Sequence, residues 1–402
     1  MEAFSSSQFR SGRALMSTAL QMRNIPVARP SIGADEENAL LSALRSGWVS
    51  QGSRVAEFEA RFAEHVGARC AVAVSSCTTA LHLALLAAGI EPGDEVLCPS
   101  LSFIATANAI VYARATPVFV DVDCATYNID PFCIERPVTA RTKAILLVHQ
   151  VGLPAALDEI CEVARRHRLL VIEDAACAIG AEYHGQRIGR PHAGIACFSF
   201  HPRKVLTTGE GGMITTADEE LAARMRRLRQ HGMTVSDLAR HGSKQVMIES
   251  YDEVGFNYRM TDMQAAVGIV QLRRLDEMLA RRRALARRYS ERLASLSWLM
   301  PPQEPGGSRH SFQSYMVRLL NDAPISRDQL MQELLDRGVS TRRGIMAIHR
   351  EAPYRGDWDK LLPNTNAVTD STMILPLFHE MTDDDQDYVI ECIEQTTQQE
   401  LR

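Results

Sequence analysis

The run Cys197-Phe198-Ser199-Phe200-His201-Pro202-Arg203-Lys204 carries a lysine out of an apolar strand and toward a glycine-rich turn, Gly209-Glu210-Gly211-Gly212. Thirty residues upstream, Leu169-Leu170-Val171-Ile172-Glu173-Asp174 reads as a buried strand that ends on a carboxylate. Alone, neither is decisive. Most lysines are solvated surface groups, and many strand-end carboxylates only cap the next helix.

The flanking sequence places both residues in one architecture. Strands are expected at Cys70–Val74, Glu95–Cys98, Pro117–Asp121, Ala144–His149 and up to Asp174, separated by helices at Thr79–Ala88, Phe103–Tyr112 and Leu157–His167. Continuous apolar strands spaced by amphipathic helices specify an α/β fold with a mostly parallel sheet buried on both faces. Ligands of such sheets bind at the carboxyl ends of the strands. Asp174, the turn Ser75-Ser76-Cys77-Thr78-Thr79 and Phe103 all follow strand ends, so one pocket can collect them. A lysine and an aspartate on that edge suit pyridoxal phosphate (PLP). The amine forms a Schiff base with the aldehyde, and the carboxylate keeps the ring nitrogen protonated so that the ring accepts electrons.

Beyond Gly212 a helix is expected at Glu219–Gln230, then a polar surface excursion at Thr234–Glu249, then a long helix capped near Thr261-Asp262 that runs to about Ala294. The rest, with a strand at Gln313–Leu319 and a helix at Arg327–Arg337, reads as a smaller α+β domain. The expected division is a mobile arm at 1–24, a large domain at 25–280, and a linking helix with the small domain at 281–402. Two domains are the default for 402 residues.

Composition narrows the function classes. A hydrophobic fraction of 46% and a charged fraction of 23% are those of a soluble globular protein, and a formal charge of -5 gives no electrostatic reason to expect nucleic acid or a membrane as partner. The basic run Arg281-Arg282-Arg283 lies among leucines at helical spacing and reads as the wet face of a helix. Nine cysteines without a Cys-x-x-Cys pair, and no His pair at metal spacing, fit a reducing cytoplasm and argue against a disulfide framework or structural zinc. No apolar run reaches the ~18 residues that span a bilayer.

Six segments, in order, resemble the DegT/StrS-type sugar aminotransferases, PLP enzymes of the aspartate-aminotransferase fold (fold type I). They are Ser46-Gly47-Trp48 with Gly52, Ser75–His82, Pro117–Asp123, Glu173-Asp174-Ala175-Ala176, Phe198–Gly212 and Gly255–Asp262. The resemblance implies that Lys204 is the Schiff-base lysine, that Asp174 pairs with the ring nitrogen and that Phe103 stacks on the ring. It places Thr78, Thr79 and Ser199 on the cofactor phosphate, which hydroxyls and a helix N-terminus suit. It also implies a homodimer in which Asn257 reaches the phosphate in the neighbouring subunit. Cys177 stands where many relatives have Gln or His near the cofactor's 3-hydroxyl. A thiol is a weak donor, so its position carries over but not that interaction.

The expected reaction moves an amino group from an amino acid, glutamate by expectation, to a keto-sugar, expected as a nucleotide-linked 4-keto-6-deoxyhexose. Ser50, His349, Arg342 and Arg343 are the candidates for meeting sugar or diphosphate. The alternatives are a PLP-dependent sugar dehydratase, a keto-cyclitol aminotransferase, and a non-catalytic PLP-binding regulatory protein. In the resembling dehydratases a His replaces the lysine, so Lys204 argues against the first.

Overall fold

The computed structural model describes residues 23–190, 192–235, 240 and 243–400. The arm expected at 1–24 lies outside them but for its last two positions, as does part of the excursion expected at 234–249.

Seven strands form the central sheet: β1 (Cys70–Val74), β2 (Glu95–Pro99), β3 (Thr116–Val120), β4 (Thr142–Val148), β5 (Leu170–Asp174), β6 (Gly194–Ser199) and β7 (Gly212–Thr216). Their order is β1-β7-β6-β5-β4-β2-β3. Neighbours are parallel except at β7, which runs antiparallel to both β1 and β6. That reversal matters for the chemistry. The chain leaves β6 at Ser199 and enters β7 at Gly212 on the same edge, so the loop that holds Lys204 hangs over the carboxyl ends of the parallel strands.

Apolar clusters cover both faces of the sheet. Along β6, side chains alternate between faces. Phe198 and Phe200 point into the core against Phe62 and Phe58, with ring centroids 5.1 and 5.4 Å apart. Ser199, between them, therefore faces the other way. Phe58 and Phe62 belong to a helix over Ser53–Val66, whose start is held by Asp262. One Asp262 oxygen accepts from the amides of Gly52 (2.8 Å) and Val55 (3.0 Å), the other from Arg54 (3.2 Å). Gly52 has no room for a side chain, because a Cβ there would run into Trp48 and Asp262.

The long helix Asp262–Leu293 starts where the sequence indicates, with a Thr261–Gln264 capping box, and leads into a four-stranded sheet built from residues 299–375. Its basic run is not a wet face throughout. Arg282 is buried and donates to the carbonyls of Phe312 (2.9 Å), Gln313 (2.6 Å) and Leu377 (3.1 Å). Burial lowers its pKa to about 10. Helical spacing could not show this, since its partners lie on another element. Among the described residues no helix is long and apolar enough to cross a membrane, and no His, Cys, Asp and Glu group is arranged to hold a metal ion.

Candidate active site

A cavity of about 550 Å³ opens at the carboxyl edge of the sheet. Asp174, Lys204, Cys177, Phe103, Thr78, Ser199, Arg342 and Arg343 all border it. The structure thus brings together eight residues that sequence reasoning dispersed over the chain.

Asp174 forms the floor. It is 6% exposed, and both its oxygens are engaged: Oδ1 accepts from the Ala176 amide (3.1 Å) and Oδ2 from the Thr106 hydroxyl (3.0 Å). Burial pushes its pKa up; these two donors and the Lys204 charge oppose the shift without cancelling it. Behind it, Glu173 and His149 are fully buried and bonded to each other at 2.9 Å. His149 Nδ1 accepts from the Ala155 amide, which assigns the proton of the neutral ring to Nε2.

Lys204 arrives on a closed loop. Thr207 Oγ1 donates to the Phe200 carbonyl (2.8 Å), and the Thr208 amide bonds the same oxygen at 3.0 Å. The lysine Nζ donates to Cys177 Sγ at 3.0 Å. Burial pulls its pKa down, but Cys177 beside it, Cys77 and Asp174 together outweigh this, and the net direction is upward. Phe103 is 65% exposed, an unusual setting for a phenylalanine, with its ring at the cavity wall.

Another wall is the start of the helix Cys77–Ala87. Ser76 caps it, and Thr79 closes back on Ser76, with Oγ1 2.7 Å from the carbonyl and 3.1 Å from the amide. Thr79 is therefore committed to the cap and does not border the cavity, whereas Ser76 and Thr78 do. Gly212 packs under this turn, where a Cβ would sit 2.6 Å from the Ser76 carbonyl group.

The remaining candidates separate. His349 is 3% exposed and outside the cavity lining; Nδ1 bonds Ser100 Oγ (2.8 Å) and Nε2 faces Asn366 (3.2 Å) and Asp359 (3.3 Å). Ser50 is exposed, gives its carbonyl to the Asp262 amide and does not border the cavity. Asn257 is exposed as well, beside Gln230, and it too stands apart from the cavity of its own chain. Sequence reasoning also missed residues. Ser102, Gln150, Val151, Glu210, Gln313 and Ser314 all line the cavity. Val151, just after β4, and Phe312, just before the strand Tyr315–Leu319, adopt φ of 49°, a strained conformation for such side chains. Gln313 Nε2 donates to the Arg203 carbonyl (2.8 Å), tying the approach to the four-stranded sheet to the lysine loop.

Comparison with known proteins fits this geometry. The model of the DegT/DnrJ/EryC1/StrS aminotransferase family matches residues 30–394. The chain belongs to that family. It is 43% identical over 373 residues to the GDP-perosamine synthase of Caulobacter vibrioides, covering 92% of this chain and 98% of that protein. The aminotransferase TlmJ from Streptoalloteichus hindustanus superposes with a TM-score of 0.86 at 36% identity, over 94% of this chain and 100% of TlmJ. The PLP form of Spr1654, a sugar-aminotransferase candidate from Streptococcus pneumoniae, gives a TM-score of 0.88 at 28% identity, over 94% of this chain and 100% of its own. The protein is accordingly a PLP-dependent aminotransferase of fold type I. The donor set fits that cofactor: a buried carboxylate for the ring nitrogen, an amine for the aldehyde, an exposed aromatic face, and hydroxyls with unpaired amides at a helix start.

Proposed function

We propose that the aminotransferase moves the amino group of glutamate to the ketone of a nucleotide-linked 4-keto-6-deoxyhexose. The observation that carries this reading is the position of Arg342 and Arg343 on the small-domain side of the cavity whose other side holds Lys204 and Asp174. Guanidinium groups suit the bidentate contacts of a diphosphate. The likeness to GDP-perosamine synthase supports the same class of acceptor.

When bound, PLP supplies the electrophilic carbonyl carbon and the electron sink. The chain supplies the rest. Lys204 Nζ would hold the cofactor through its aldehyde and, as a free amine, would accept and return the proton of the substrate carbon. Asp174 holds a proton on the ring nitrogen. Ser76, Thr78 and Ser199 would hold the phosphate, and Phe103 would offer its face to the ring. Cys177 orients the free amine rather than acting as a nucleophile.

The enzyme works as a homodimer in this reading. Asn257 lies outside the cavity of its own chain, and Val246, Ile248 and Val254, in the stretch that precedes it, are 93%, 87% and 89% exposed. Apolar side chains so displayed call for a partner surface. A second copy that brings Asn257 to the cofactor phosphate completes both sites. Nine free cysteines suit a cytoplasmic enzyme. Incubating the PLP-loaded protein and glutamate with a panel of nucleotide keto-sugars and free keto-cyclitols, and reading the product masses, tests the substrate class. Amination of cyclitols alone would contradict it.

A further inference from the structure

We propose that Thr106 is a positioning residue for Asp174, and that a directed chain of hydroxyls, Ser102 to Thr106 to Asp174, holds the carboxylate that faces the cofactor's ring nitrogen. The inference rests on the assignment of Asp174 to that nitrogen.

The direction of the chain follows from donor counting. Asp174 Oδ2 lies 3.0 Å from Thr106 Oγ1, and an ionised carboxylate only accepts, so the threonine proton points to Asp174. Thr106 Oγ1 also lies 2.8 Å from Ser102 Oγ, and with its own proton spent it accepts the serine's. Thr106 and Ser102 are 0% and 2% exposed, so these bonds are shielded from bulk water. A charge-assisted bond in such a dry place is stronger than its solvated counterpart.

The local fold fixes the geometry. Thr106 stands in the first turn of the helix Ala105–Tyr112, and its amide bonds the Phe103 carbonyl at 3.1 Å. One turn of chain thereby presents an aromatic ring to the cavity and a hydroxyl to its floor. The β-branch of threonine restricts χ1, so the hydroxyl is preset rather than recruited. The Ser102 amide lies 3.2 Å from the carbonyl of Met346, a small-domain residue on the cavity wall, so the chain also connects the carboxylate to that domain. With one lone pair of each Asp174 oxygen taken by Ala176 and Thr106, the remaining pairs have a defined direction. Without the threonine donor the carboxylate becomes more basic and takes the shared proton from the ring.

The test uses protein loaded with PLP labelled with ¹⁵N in the ring, and reads the nitrogen resonance and the cofactor dissociation constant for Thr106→Val, Thr106→Ser and Asp174→Asn. Valine keeps the shape and deletes the donor. The expected result is a resonance moved partway toward the unprotonated position in Thr106→Val with about a tenfold weaker affinity, recovery of most of both in Thr106→Ser, and a complete shift in Asp174→Asn. If Asp174→Asn leaves the resonance in place, the assignment of Asp174 fails and the inference with it. If Asp174→Asn moves it and Thr106→Val does not, the role of Thr106 alone is overturned; a purely structural threonine would weaken affinity without moving the resonance. Should Thr106→Val not fold, Ser102→Ala is read in the same way: a smaller shift in the same direction supports the chain, and an unmoved resonance overturns it.

Discussion

Lys204 Nζ donates a hydrogen bond to Cys177 Sγ at 3.0 Å, so the reactive amine rests against a thiol side chain delivered by the turn that follows Asp174. A sulfur lone pair favours the ammonium form, and Asp174 acts in the same sense, which is why the lysine's pKa rises in spite of its burial. Cys177→Ala removes the first of these influences and leaves Cys77 and Asp174 in place. In cofactor-free protein the amine then loses its proton at lower pH, and PLP uptake near pH 7 speeds up by roughly fivefold, the equivalent of ~1 kcal/mol. Following the absorbance of PLP uptake against pH checks this. An unchanged profile would show that the Cys177 sulfur does not set the lysine's proton affinity.

Replacing Arg342 and Arg343 by Ala is expected to lower kcat/KM for the nucleotide sugar by about ten- to a hundredfold, the range of one or two lost charged hydrogen bonds. The glutamate half-reaction, followed separately in single turnover, is expected to change little. Damage confined to the glutamate half-reaction would contradict the diphosphate contact.

The segment around His310 carries its own pH dependence. His310 Nδ1 accepts from the Phe312 amide (2.8 Å), and its ring stacks on Phe312 with centroids 4.1 Å apart. Burial lowers its pKa to about 3 from an ordinary 6.5, so the folded protein holds the ring neutral. The unfolded chain binds a proton at His310 below the ordinary value while the folded one does not. The stability it contributes is therefore complete above about pH 6.5 and declines as pH falls toward 3. In His310→Gln, urea midpoints measured between pH 7 and about 4 are expected to fall less steeply than in the wild type. Parallel curves would mean that other groups govern acid unfolding.

Much of the site was legible because its chemistry needs rare residue placements. A lysine leaving an apolar strand, a carboxylate ending another and hydroxyls opening a helix each leave a local signal, and all three border one cavity. What stayed hidden acts through tertiary partners. Thr106 looks like any helix residue until Asp174 is packed against it, and Arg282 looks like a surface charge until the carbonyls of Phe312, Gln313 and Leu377 surround it. β7 was missed because Gly211-Gly212 reads as turn; in fact Gly212 pairs with both Val74 and Ser199 and begins the strand. The hydroxyls of Thr78 and Thr79 are equivalent by sequence, and only the capping box separates them. His349 shows the converse case, a polar residue whose bonding groups face inward to Ser100, Asn366 and Asp359.

The shared-site reading predicts complementation between two damaged chains. Lys204→Ala disables the site its own chain hosts, and Asn257→Asp sets a carboxylate against the phosphate held by its partner, where like charges repel. Each homodimer is expected to be impaired. Co-expressed with different tags and purified through both, the mixed dimer gathers both lesions in one site and leaves the other intact, at about half the wild-type activity. Activity no higher than the mean of the two parents would place Asn257 in service of its own chain.

The central claim is that Lys204 is the residue that binds the cofactor covalently. The chain contains only four lysines, Lys143, Lys204, Lys244 and Lys360. Borohydride reduction of the PLP-loaded wild type, followed by peptide mass mapping, locates the modified one directly. The account predicts the phosphopyridoxyl group on Lys204 and on no other lysine, and its loss in Lys204→Ala with non-covalent PLP binding retained. A label on Lys143, Lys244 or Lys360, or none on Lys204, would contradict it.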